Sequence, residues 1–580
     1  MKQKNTGESM HKKEILNRLE KFAILLELND ANTFRIRAYQ NGIRALETTA
    51  ESLDELIAEG NLSKIKGIGK GLSAHIETLY HDKEDTDYEE LNEKTPTGLL
   101  DMLGIPGLGP KKVKKIYKEL GIASLGELEY ACNENRLVTM KGFGAKTQAN
   151  ILKGLEFLKQ KQGRFLYPFA RDKAEPLLTA LSQDERIVRV SVAGSLRRCK
   201  EDVKDIDFVA SCAEADRDAI MADFVALEQV ESIVGQGNTK SSVRLKSGIG
   251  VDLRLVNDEA FPHLLQHMTG SKEHNTELRA LAKSQGLKVN EYGLFEGDTP
   301  IYCKDESEIY ARLGLQYIAP ELRENQGEIA LAQAKALPEL VKAPDIQGVF
   351  HAHTTWSDGA NTLAEMVDAC QALGYHYLGV TEHSASAVYA HGLQKERVIA
   401  QWEEIQQLND TLENFKVLRG IEVDILGDGS LDYDDDLLAG FDFVIASVHS
   451  QFKMSEADMT ARILKAVEHP SVTMIGHLTG RILLAREGYP VNVPRIIDAC
   501  VEHKTLIELN AHPSRLDLDW RYGNYAREKG LMISINPDAH SVEGLQDVQY
   551  GIGIARKAGF APEQVLNTRS LAEVEAVLAS

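Results

Sequence analysis

The stretch Phe350-His351-Ala352-His353-Thr354-Thr355-Trp356-Ser357-Asp358 is the first of seven short apolar segments after residue 345 that each end in a possible metal ligand. Successive side chains of a β-strand alternate between its two faces, so both histidines of a His-x-His pair point the same way and can share an ion. The last segment, Asn536-Pro537-Asp538-Ala539-His540, repeats that spacing. The recurrence predicts a multinuclear metal site.

The five segments between them end in Glu382-His383, Glu422, His449, His477 and the stretch from Asn510 to His512. A single histidine at a strand end is more often an ordinary hydrogen-bonded residue, so the joint placement carries the prediction. Helical patterns lie between most of the segments, at about residues 361–374, 395–413, 456–468, 494–503 and 521–530. Repeating β-α units of this kind close into a barrel whose chemistry sits at the carboxyl ends of the strands. Mixed imidazole and carboxylate ligands suit Mn, Zn or Fe, and closely spaced ions of this type usually act on phosphate esters.

These segments resemble the four motifs of the PHP (polymerase and histidinol phosphatase) domain, a distorted (β/α)7 barrel with a trinuclear site. The resemblance implies nine metal ligands, and every position holds a usable side chain: His351, His353, Asp358, His383, Glu422, His449, His477, Asp538 and His540. Two neighbours depart from the family pattern. Glu382 stands where an aspartate usually precedes the histidine, and Pro537 stands where a threonine is common, but neither change removes a ligand. The resemblance implies up to three ions, Mn²⁺ or Zn²⁺.

Composition sets the broad class of the chain. Its 580 residues, of which 43% are hydrophobic, predict about three to five globular domains. No apolar run approaches the roughly 18 to 20 residues of a membrane span, and the polar amino terminus lacks a signal-peptide core, so we expect a cytoplasmic protein. Six scattered cysteines predict reduced thiols rather than a disulfide framework or a zinc knuckle.

The net charge of −21 argues against nucleic acid as a partner, but residues 97–161 carry eleven basic and six acidic side chains. On charge alone, a solvated helical face explains this as well as a binding patch. Three repeats favour binding: residues 65–76, 103–117 and 140–152 each contain Gly-x-Gly before a helix, which exposes backbone amides to a phosphate. They resemble helix-hairpin-helix motifs. The predicted DNA-binding residues are Gly67, Gly69, Gly107, Gly109, Lys111, Lys112, Gly142, Gly144 and Lys146.

A second carboxylate cluster is predicted in the middle of the chain. Asp205 and Asp207 are two apart in a strand and share a face, and Asp252 lies in a predicted neighbouring strand. Three converging carboxylates repel each other unless cations are present, and two Mg²⁺ ions are the usual answer. The turn Ala193-Gly194-Ser195-Leu196-Arg197-Arg198 brings small and basic residues after a strand, as a phosphate site requires.

This stretch resembles the palm of X-family DNA polymerases, which have the nucleotidyltransferase fold. The match continues into a thumb through Thr269-Gly270-Ser271 and Asn290-Glu291-Tyr292. The resemblance implies that Asp205, Asp207 and Asp252 are catalytic and bind Mg²⁺ or Mn²⁺. It also implies that Ser195 and Arg198 contact the triphosphate, Asn275 the minor-groove edge of the new base pair, and Arg279 the template. Nucleotide binding is thus expected at Gly194, Ser195, Arg198, Gly270, Asn275 and Arg279.

Three positions depart from the X-family pattern. His267-Met268 replaces an aromatic pair that limits ribonucleotide access in eukaryotic relatives, which leaves sugar discrimination open. Lys204 replaces a glycine that is common before the first aspartate, which could lower catalytic efficiency. His75 stands where relatives with a 5′-deoxyribose-phosphate lyase have a lysine, and an imidazole cannot form that Schiff base.

The order of modules resembles the bacterial DNA polymerase X family over nearly the whole chain. It implies an amino-terminal all-α helical DNA-binding domain with the first helix-hairpin-helix (1–92), a fingers-like helix-hairpin-helix domain (93–162), an α/β palm (163–258) and a thumb (259–322). A linker (323–344) and the PHP phosphoesterase domain (345–580) follow. The acidic, turn-rich stretch of residues 81–98 is a second predicted linker.

The favoured hypothesis is a DNA-directed DNA polymerase that fills short gaps in base excision repair and has a metal-dependent 3′-5′ exonuclease, with incision at abasic sites left open. Its expected partners are gapped or primed DNA and deoxynucleoside triphosphates. It is expected to be a monomer and to associate with the nucleoid during repair. Two alternatives remain: a phosphatase for small phosphomonoesters with a decayed polymerase module, and a non-enzymatic scaffold that bridges DNA ends.

Overall fold

The computed structural model describes residues 12–49, 51–82, 85–138, 140–159 and 163–579. The polar amino terminus and Lys161, both used in the sequence predictions, lie outside these residues. The chain forms two compact units: Met1–Glu129 with Lys141–Leu155, and Tyr130–Met140 with Glu156–Ser580. In the described part of the chain, no helix is both long and apolar enough to cross a membrane.

The first unit is helical. Its helices are α1 (Lys12–Leu28), α2 (Thr33–Thr48), α3 (Leu53–Ala58), α4 (Lys70–Asp82), α5 (Thr86–Lys94), α6 (Thr97–Met102), α7 (Pro110–Leu120), α8 (Leu125–Asn133) and α9 (Ala145–Lys159), of which α8 and α9 continue into the second unit. Phe22, Ile43 and Ile76, from three of these helices, pack in one apolar core.

The linker predicted at residues 81–98 is wrong, because α5 and the start of α6 occupy most of it. Asp85 caps α5 by accepting a hydrogen bond from the amide of Tyr88 at 3.0 Å, and the Tyr88 side chain is buried. A capping aspartate and one buried aromatic side chain therefore fix a helix in a stretch whose composition is typical of a turn.

The predicted palm contains a five-stranded sheet and a separate sheet of two short strands. Its elements are β1 (Phe165–Leu166), α10 (Tyr167–Ser182), β2 (Ile187–Val192), α11 (Gly194–Arg197), β3 (Asp202–Val203), β4 (Asp205–Cys212), α12 (Arg217–Val225), β5 (Val230–Gln236), β6 (Lys240–Leu245) and β7 (Gly250–Val256). The strand order is β2-β4-β7-β6-β5, and only the central pair β4 and β7 is parallel. Ile206 and Phe208 of β4 are fully buried, and the alternation of the strand sends Asp205 and Asp207 to the opposite face.

The predicted thumb follows with α13 (Phe261–Thr269), α14 (Lys272–Ser284), β8 (Leu287–Asn290), β9 (Gly293–Glu296), β10 (Thr299–Ile301) and α15 (Glu306–Arg312). The three strands form an antiparallel sheet in the order β10-β9-β8. Residues 323–344, predicted as a linker, include α16 (Glu328–Gln333). Arg323 in this segment is fully buried and pairs with Glu306 at 2.6 Å, so the segment packs on the thumb.

The carboxyl-terminal region is a nearly closed parallel barrel, as predicted. Its strands are β11 (Gly348–Ala352), β12 (Tyr377–His383), β13 (Lys416–Asp424), β14 (Phe443–Ser447), β15 (Met474–Ile475), β16 (Leu506–Asn510) and β17 (Ile533–Asn536), in sequential order. Its helices are α17 (Leu363–Ala372), α18 (Lys395–Asn409), α19 (Asp435–Leu438), α20 (Glu456–Val467), α21 (Val493–His503), α22 (Gly523–Lys529), α23 (Val548–Lys557) and α24 (Leu571–Leu578). A bridge between Ala352 and Ala539 joins the ends of the first and last strands.

Aromatic side chains fill part of the interior of the barrel. The rings of Phe350 and Phe443 lie 5.2 Å apart, and a Cβ at Gly379 or Gly420 would come within 2.6 Å of the Phe443 ring. These glycines therefore face inward. Since strand side chains alternate, Glu422, two residues after Gly420, also faces inward at the carboxyl end of the barrel.

Candidate active sites

The three predicted palm carboxylates meet on one face of the sheet. Asp207 and Asp252 are register partners on the parallel strands β4 and β7, and Asp205 lies two residues before Asp207. Burial and then the charges of the other two aspartates raise the pKa of Asp207 to about 6. Lys240 lies 2.7 Å from Asp252 and offsets part of the negative charge. Carboxylates that resist ionisation together are typical of a site for divalent cations.

The predicted phosphate turn lies beside these carboxylates. Gly194 has a φ of +62°, and a Cβ there would lie 2.2 Å from Oδ2 of Asp207. The amide of Ala193 donates a 2.8 Å hydrogen bond to the carbonyl of Asp207, which ties the turn to β4. Ser195 and Arg198 follow in and just after the short helix α11. The structure thus brings Gly194 and the predicted aspartates together, and only glycine fits at this contact.

The thumb residues of the predicted nucleotide set differ in their surroundings. Gly270 lies against Arg198, since a Cβ there would come within 3.1 Å of Nη1. Asn275 is buried, accepts a 2.8 Å hydrogen bond from Gln266 and donates one of 2.8 Å to the carbonyl of His267, so both ends of its amide bind within the thumb. Arg279 is exposed.

The nine ligands predicted in the barrel converge at the carboxyl ends of the strands. Eight of them form three groups whose candidate ligand atoms lie within 4.8 Å of one another: His353, Asp358, His383 and His540; His351, His353 and Asp538; His383, Glu422 and His449. The ninth, His477, places Nε2 3.0 Å from Oε1 of Glu422. Glu422 is central, since His383 also approaches it to 2.9 Å.

Unsatisfied buried atoms show that this cluster fits metal ions. Within the described residues, Nε2 of His351, both ring nitrogens of His353 and His383, and Nε2 of His540 are buried and make no hydrogen bond of normal geometry. This includes Nδ1 of His383, although it lies 2.9 Å from Glu422. A buried polar atom without a partner costs about 1–3 kcal/mol, so several in one pocket require compensation. Divalent cations would supply it, and the mixture of imidazole and carboxylate groups is a suitable set of ligands.

Buried carboxylates outside the predicted set orient its histidines. Glu508 accepts a hydrogen bond from Nδ1 of His351 and another, at 2.8 Å, from the amide of His477. Asp424 accepts from Nδ1 of His449 in the same way. Such contacts fix the tautomer and leave Nε2 facing the pocket. The sequence signal for Glu508 is a carboxylate inside the apolar strand LIELN, which the predictions passed over.

Glu382, the departure beside His383, has a structural role. It is fully buried and accepts hydrogen bonds from the amides and hydroxyls of Thr354 and Ser357, in the loop that carries Asp358. It also accepts one from Gln401 at 3.0 Å. The glutamate therefore anchors the loop that places a predicted ligand.

Three predicted ligands have left-handed backbone conformations. The φ angles of His351, His477 and Asp538 are +60°, +24° and +52°. These conformations are unfavourable for residues other than glycine and concentrate at functional sites.

A segment of the second unit, Tyr130–Met140, adds buried side chains near this pocket. Arg515 donates a 3.1 Å hydrogen bond to the hydroxyl of Tyr130, and the guanidinium of Arg136 lies 4.6 Å from the centre of the Tyr389 ring. Glu134 is buried, and burial raises the pKa of its carboxyl. The sequence predictions missed these residues because they are distant from the barrel along the chain.

The three predicted hairpins in the first unit share one backbone geometry. The first glycines of the repeats, Gly67, Gly107 and Gly142, have φ angles of +109°, +82° and +93°. Each second glycine, at 69, 109 and 144, directly precedes a helix: α4, α7 or α9. Lys111 and Lys146 in the first turns of α7 and α9 are exposed, and Lys112 is half-buried. Exposed amides at the starts of these helices suit phosphate groups.

Over 574 residues, the chain is 39% identical to a Bacillus subtilis protein named DNA polymerase/3′-5′ exonuclease PolX, covering 98% of this chain and 99% of that protein. The chain belongs to the PolX family. Family descriptions match four regions: a helix-hairpin-helix domain at residues 10–84, a SAM-like helix-hairpin-helix tandem at 99–156, a DNA polymerase beta thumb at 264–324 and a PHP domain at 350–512.

Over part of its length, the chain is also similar to shorter proteins. A probable phosphatase of Thermoanaerobacter sp. is 26% identical over 229 residues, 38% of this chain and 89% of that protein. A probable phosphatase of Aliivibrio fischeri is 25% identical over 232 residues, 38% of this chain and 88% of that protein.

His75, which the resemblance placed at the position of a lyase lysine, is held inside the first unit. Its Nδ1 lies 2.9 Å from the hydroxyl of Tyr39 and its Nε2 3.0 Å from Oδ2 of Asp85. Both ring nitrogens thus have partners, and the imidazole links α2, α4 and the cap of α5.

Proposed function

We propose that this chain is a DNA-directed DNA polymerase that fills short gaps during DNA repair and carries a metal-dependent 3′-5′ exonuclease in its PHP barrel. One observation carries the proposal: the palm aspartates and the nine barrel ligands form two separate convergent clusters in a chain of the PolX family. The name of the Bacillus subtilis relative supports both activities.

In the polymerase site, Asp205, Asp207 and Asp252 would hold Mg²⁺ or Mn²⁺ on one face of the sheet. Gly194 allows the phosphate turn to approach these carboxylates, and Arg198 would bind the triphosphate by charge-assisted hydrogen bonds. The hairpins of the first unit would hold the DNA backbone through glycine amides and lysines without reading sequence.

In the barrel, the nine imidazole and carboxylate ligands would hold up to three Mn²⁺ or Zn²⁺ ions. Glu508 binds Nδ1 of His351, and Asp424 binds Nδ1 of His449. The Nε2 atoms of both histidines therefore face the pocket. When bound, divalent cations at either site lower the pKa of an attacking oxygen and stabilise the charge that develops on phosphate. Incision at abasic sites, a monomeric state and a cytoplasmic location stay predictions.

A gapped, end-labelled duplex with Mn²⁺ tests both activities, because one strand lengthens with deoxynucleotides and shortens without them. Asp207→Ala should abolish extension and spare shortening, and His353→Ala should do the reverse. Asp218→Ala on the exposed face of α12 and His376→Ala at the amino end of β12 are matched controls, since both side chains are exposed. Loss of both activities in either site variant would contradict two independent sites.

The similarity to probable phosphatases favours a second candidate for the barrel, hydrolysis of small phosphomonoesters. Comparing the hydrolysis of a 3′-ended oligonucleotide with that of p-nitrophenyl phosphate separates the two. We expect the oligonucleotide to be the far better substrate, because the same chain carries three hairpins suited to a DNA backbone. Preferential hydrolysis of the monoester would favour the phosphatase.

A further inference from the structure

Arg198, which the proposed function places on the triphosphate, is held by residues from three parts of the second unit. Its Nε donates to Oε1 of Glu324 at 2.9 Å, and its Nη1 donates to the carbonyl of Thr269. Within the described residues, Nη2 donates to no protein atom. The guanidinium is therefore fixed on one side and has donors left for a ligand.

The third contact comes from the barrel domain. Lys557, the last residue of α23, donates from Nζ to the same Oε1 of Glu324 at 2.6 Å and to the carbonyl of Arg198 at 2.9 Å. Its ammonium also lies 4.5 Å from the ring centre of Trp520. Helix α23 is closely packed here, since a Cβ at Gly553 would lie 3.2 Å from Sγ of Cys199.

These three charged groups are nearly excluded from water. The side chains of Lys557, Glu324 and Arg198 are 0%, 9% and 11% exposed. Burial raises the pKa of Glu324, but Lys557 and Arg198 outweigh it and lower that pKa below its usual value, so the carboxylate is charged. Burial lowers the pKa of Lys557 from its ordinary 10.5, and Glu324 opposes that shift. With Lys557 protonated, one carboxylate is shared by two cations, and the cluster has a net positive charge.

Removal of Lys557 would change that balance. The remaining pair of Arg198 and Glu324 would then carry no net charge, and the backbone carbonyl of Arg198 would lose the hydrogen bond from Lys557. Electrostatic attraction between Arg198 and a triphosphate would weaken, since in a low-dielectric site a neighbouring charge acts over several ångströms.

We propose that Lys557, a residue of the barrel domain, is a positioning residue for the polymerase site. By sharing Glu324 it keeps Arg198 oriented and keeps the net charge of the cluster positive toward the incoming triphosphate. The barrel thus contributes to nucleotide binding without touching the nucleotide. This inference rests on the proposed polymerase function and on the proposed role of Arg198 within it.

The test compares single-nucleotide gap filling by wild type, Lys557→Met and the double variant Lys557→Met/Glu324→Gln, with Lys529→Met as the control. Lys529 lies on the surface of the same domain and pairs with Asp498 at 2.7 Å. We expect Lys557→Met to raise the KM for deoxynucleotide about tenfold, because the triphosphate loses the attraction of one partly screened positive charge. The kcat and the KM for gapped DNA should change far less. The double variant should return the nucleotide KM toward wild type, because no carboxylate then offsets the charge of Arg198.

Exonuclease activity and the melting temperature report whether each variant folds. If Lys557→Met does not fold, Lys557→Gln, which keeps a donor for the Arg198 carbonyl, should show the same rise in nucleotide KM. A wild type that extends primers, with an unchanged nucleotide KM in the folded Lys557 variant, would overturn the inference. So would equal defects in kcat, DNA KM and exonuclease, or a double variant worse than the single one. A wild type unable to extend a primer would instead refute the proposed function.

Discussion

Replacing Glu508 by glutamine should weaken metal binding in the barrel by roughly 10- to 100-fold, the usual effect of changing a residue that orients a ligating histidine. Glu508 is fully buried and accepts hydrogen bonds from Nδ1 of His351, the amide of His477 at 2.8 Å, Asn510 at 3.1 Å and Asn536 at 2.9 Å. A carboxylate can accept all four, but an amide offers one acceptor oxygen. At least one of these donors must then face the NH₂ group.

The assay is exonuclease activity titrated with Mn²⁺ for wild type, Glu508→Gln and the control Glu502→Gln, whose side chain is exposed on α21. We expect the half-saturating Mn²⁺ concentration to rise in the Glu508 variant, with activity partly recovered at excess metal, while primer extension is unchanged. An unaltered Mn²⁺ titration in a folded variant would refute the reasoning that Glu508 sets the orientation of His351.

Three further predictions concern the palm, the barrel core and an acid of the barrel domain. Gly194→Ala should reduce primer extension at least about 100-fold, because the methyl group would meet Asp207 at 2.2 Å, while exonuclease activity persists. Phe443→Ala should destabilise the barrel by about 3–5 kcal/mol in chemical denaturation, since the ring fills its interior. Burial raises the pKa of Asp547 to about 8, so Asp547→Asn should melt at a higher temperature than wild type, compared with Asp368→Asn as an exposed control.

The pH dependence of the Asp547 prediction follows from linkage. The folded protein holds this proton more tightly than the unfolded chain, whose carboxyl has its ordinary pKa of 3.8, so wild type loses stability as pH rises from about 4 to about 8. The advantage of the asparagine variant should grow across that window and level off above it. A difference in melting temperature that stays constant with pH would contradict the raised pKa of Asp547.

Extension near the wild-type level in Gly194→Ala would contradict the prediction for the palm. An unchanged unfolding midpoint in Phe443→Ala would contradict the prediction for the barrel core.

The sequence predicted the barrel well because its signals are local. Each strand is a short apolar run, and a ligand at the carboxyl end follows from the two-residue alternation, as for His351 and His353. The five predicted helices between the strands correspond to α17, α18, α20, α21 and α22. The strands of the parallel pair in the palm, which contain Asp207 and Asp252, were predicted for the same reason.

Long-range contacts could not be predicted in this way. Glu508 is separated from His351 by 157 positions, and Lys557 from Arg198 by 359. The strands β5 and β6 of the palm were also missed. Much of β5 is exposed and has no clear apolar alternation, and β6 has only two apolar residues, Val243 and Leu245. The error at residues 81–98 also comes from contacts that are distant along the chain, since the burial of Tyr88 depends on packing against other helices.

Anomalous diffraction from crystals soaked in Mn²⁺ tests most directly whether the two carboxylate clusters are separate metal sites. We predict peaks beside Asp205, Asp207 and Asp252 in the palm, and up to three peaks among the barrel ligands around Glu422. A barrel cluster that binds no manganese while its imidazoles form hydrogen bonds with one another and with water would contradict the account.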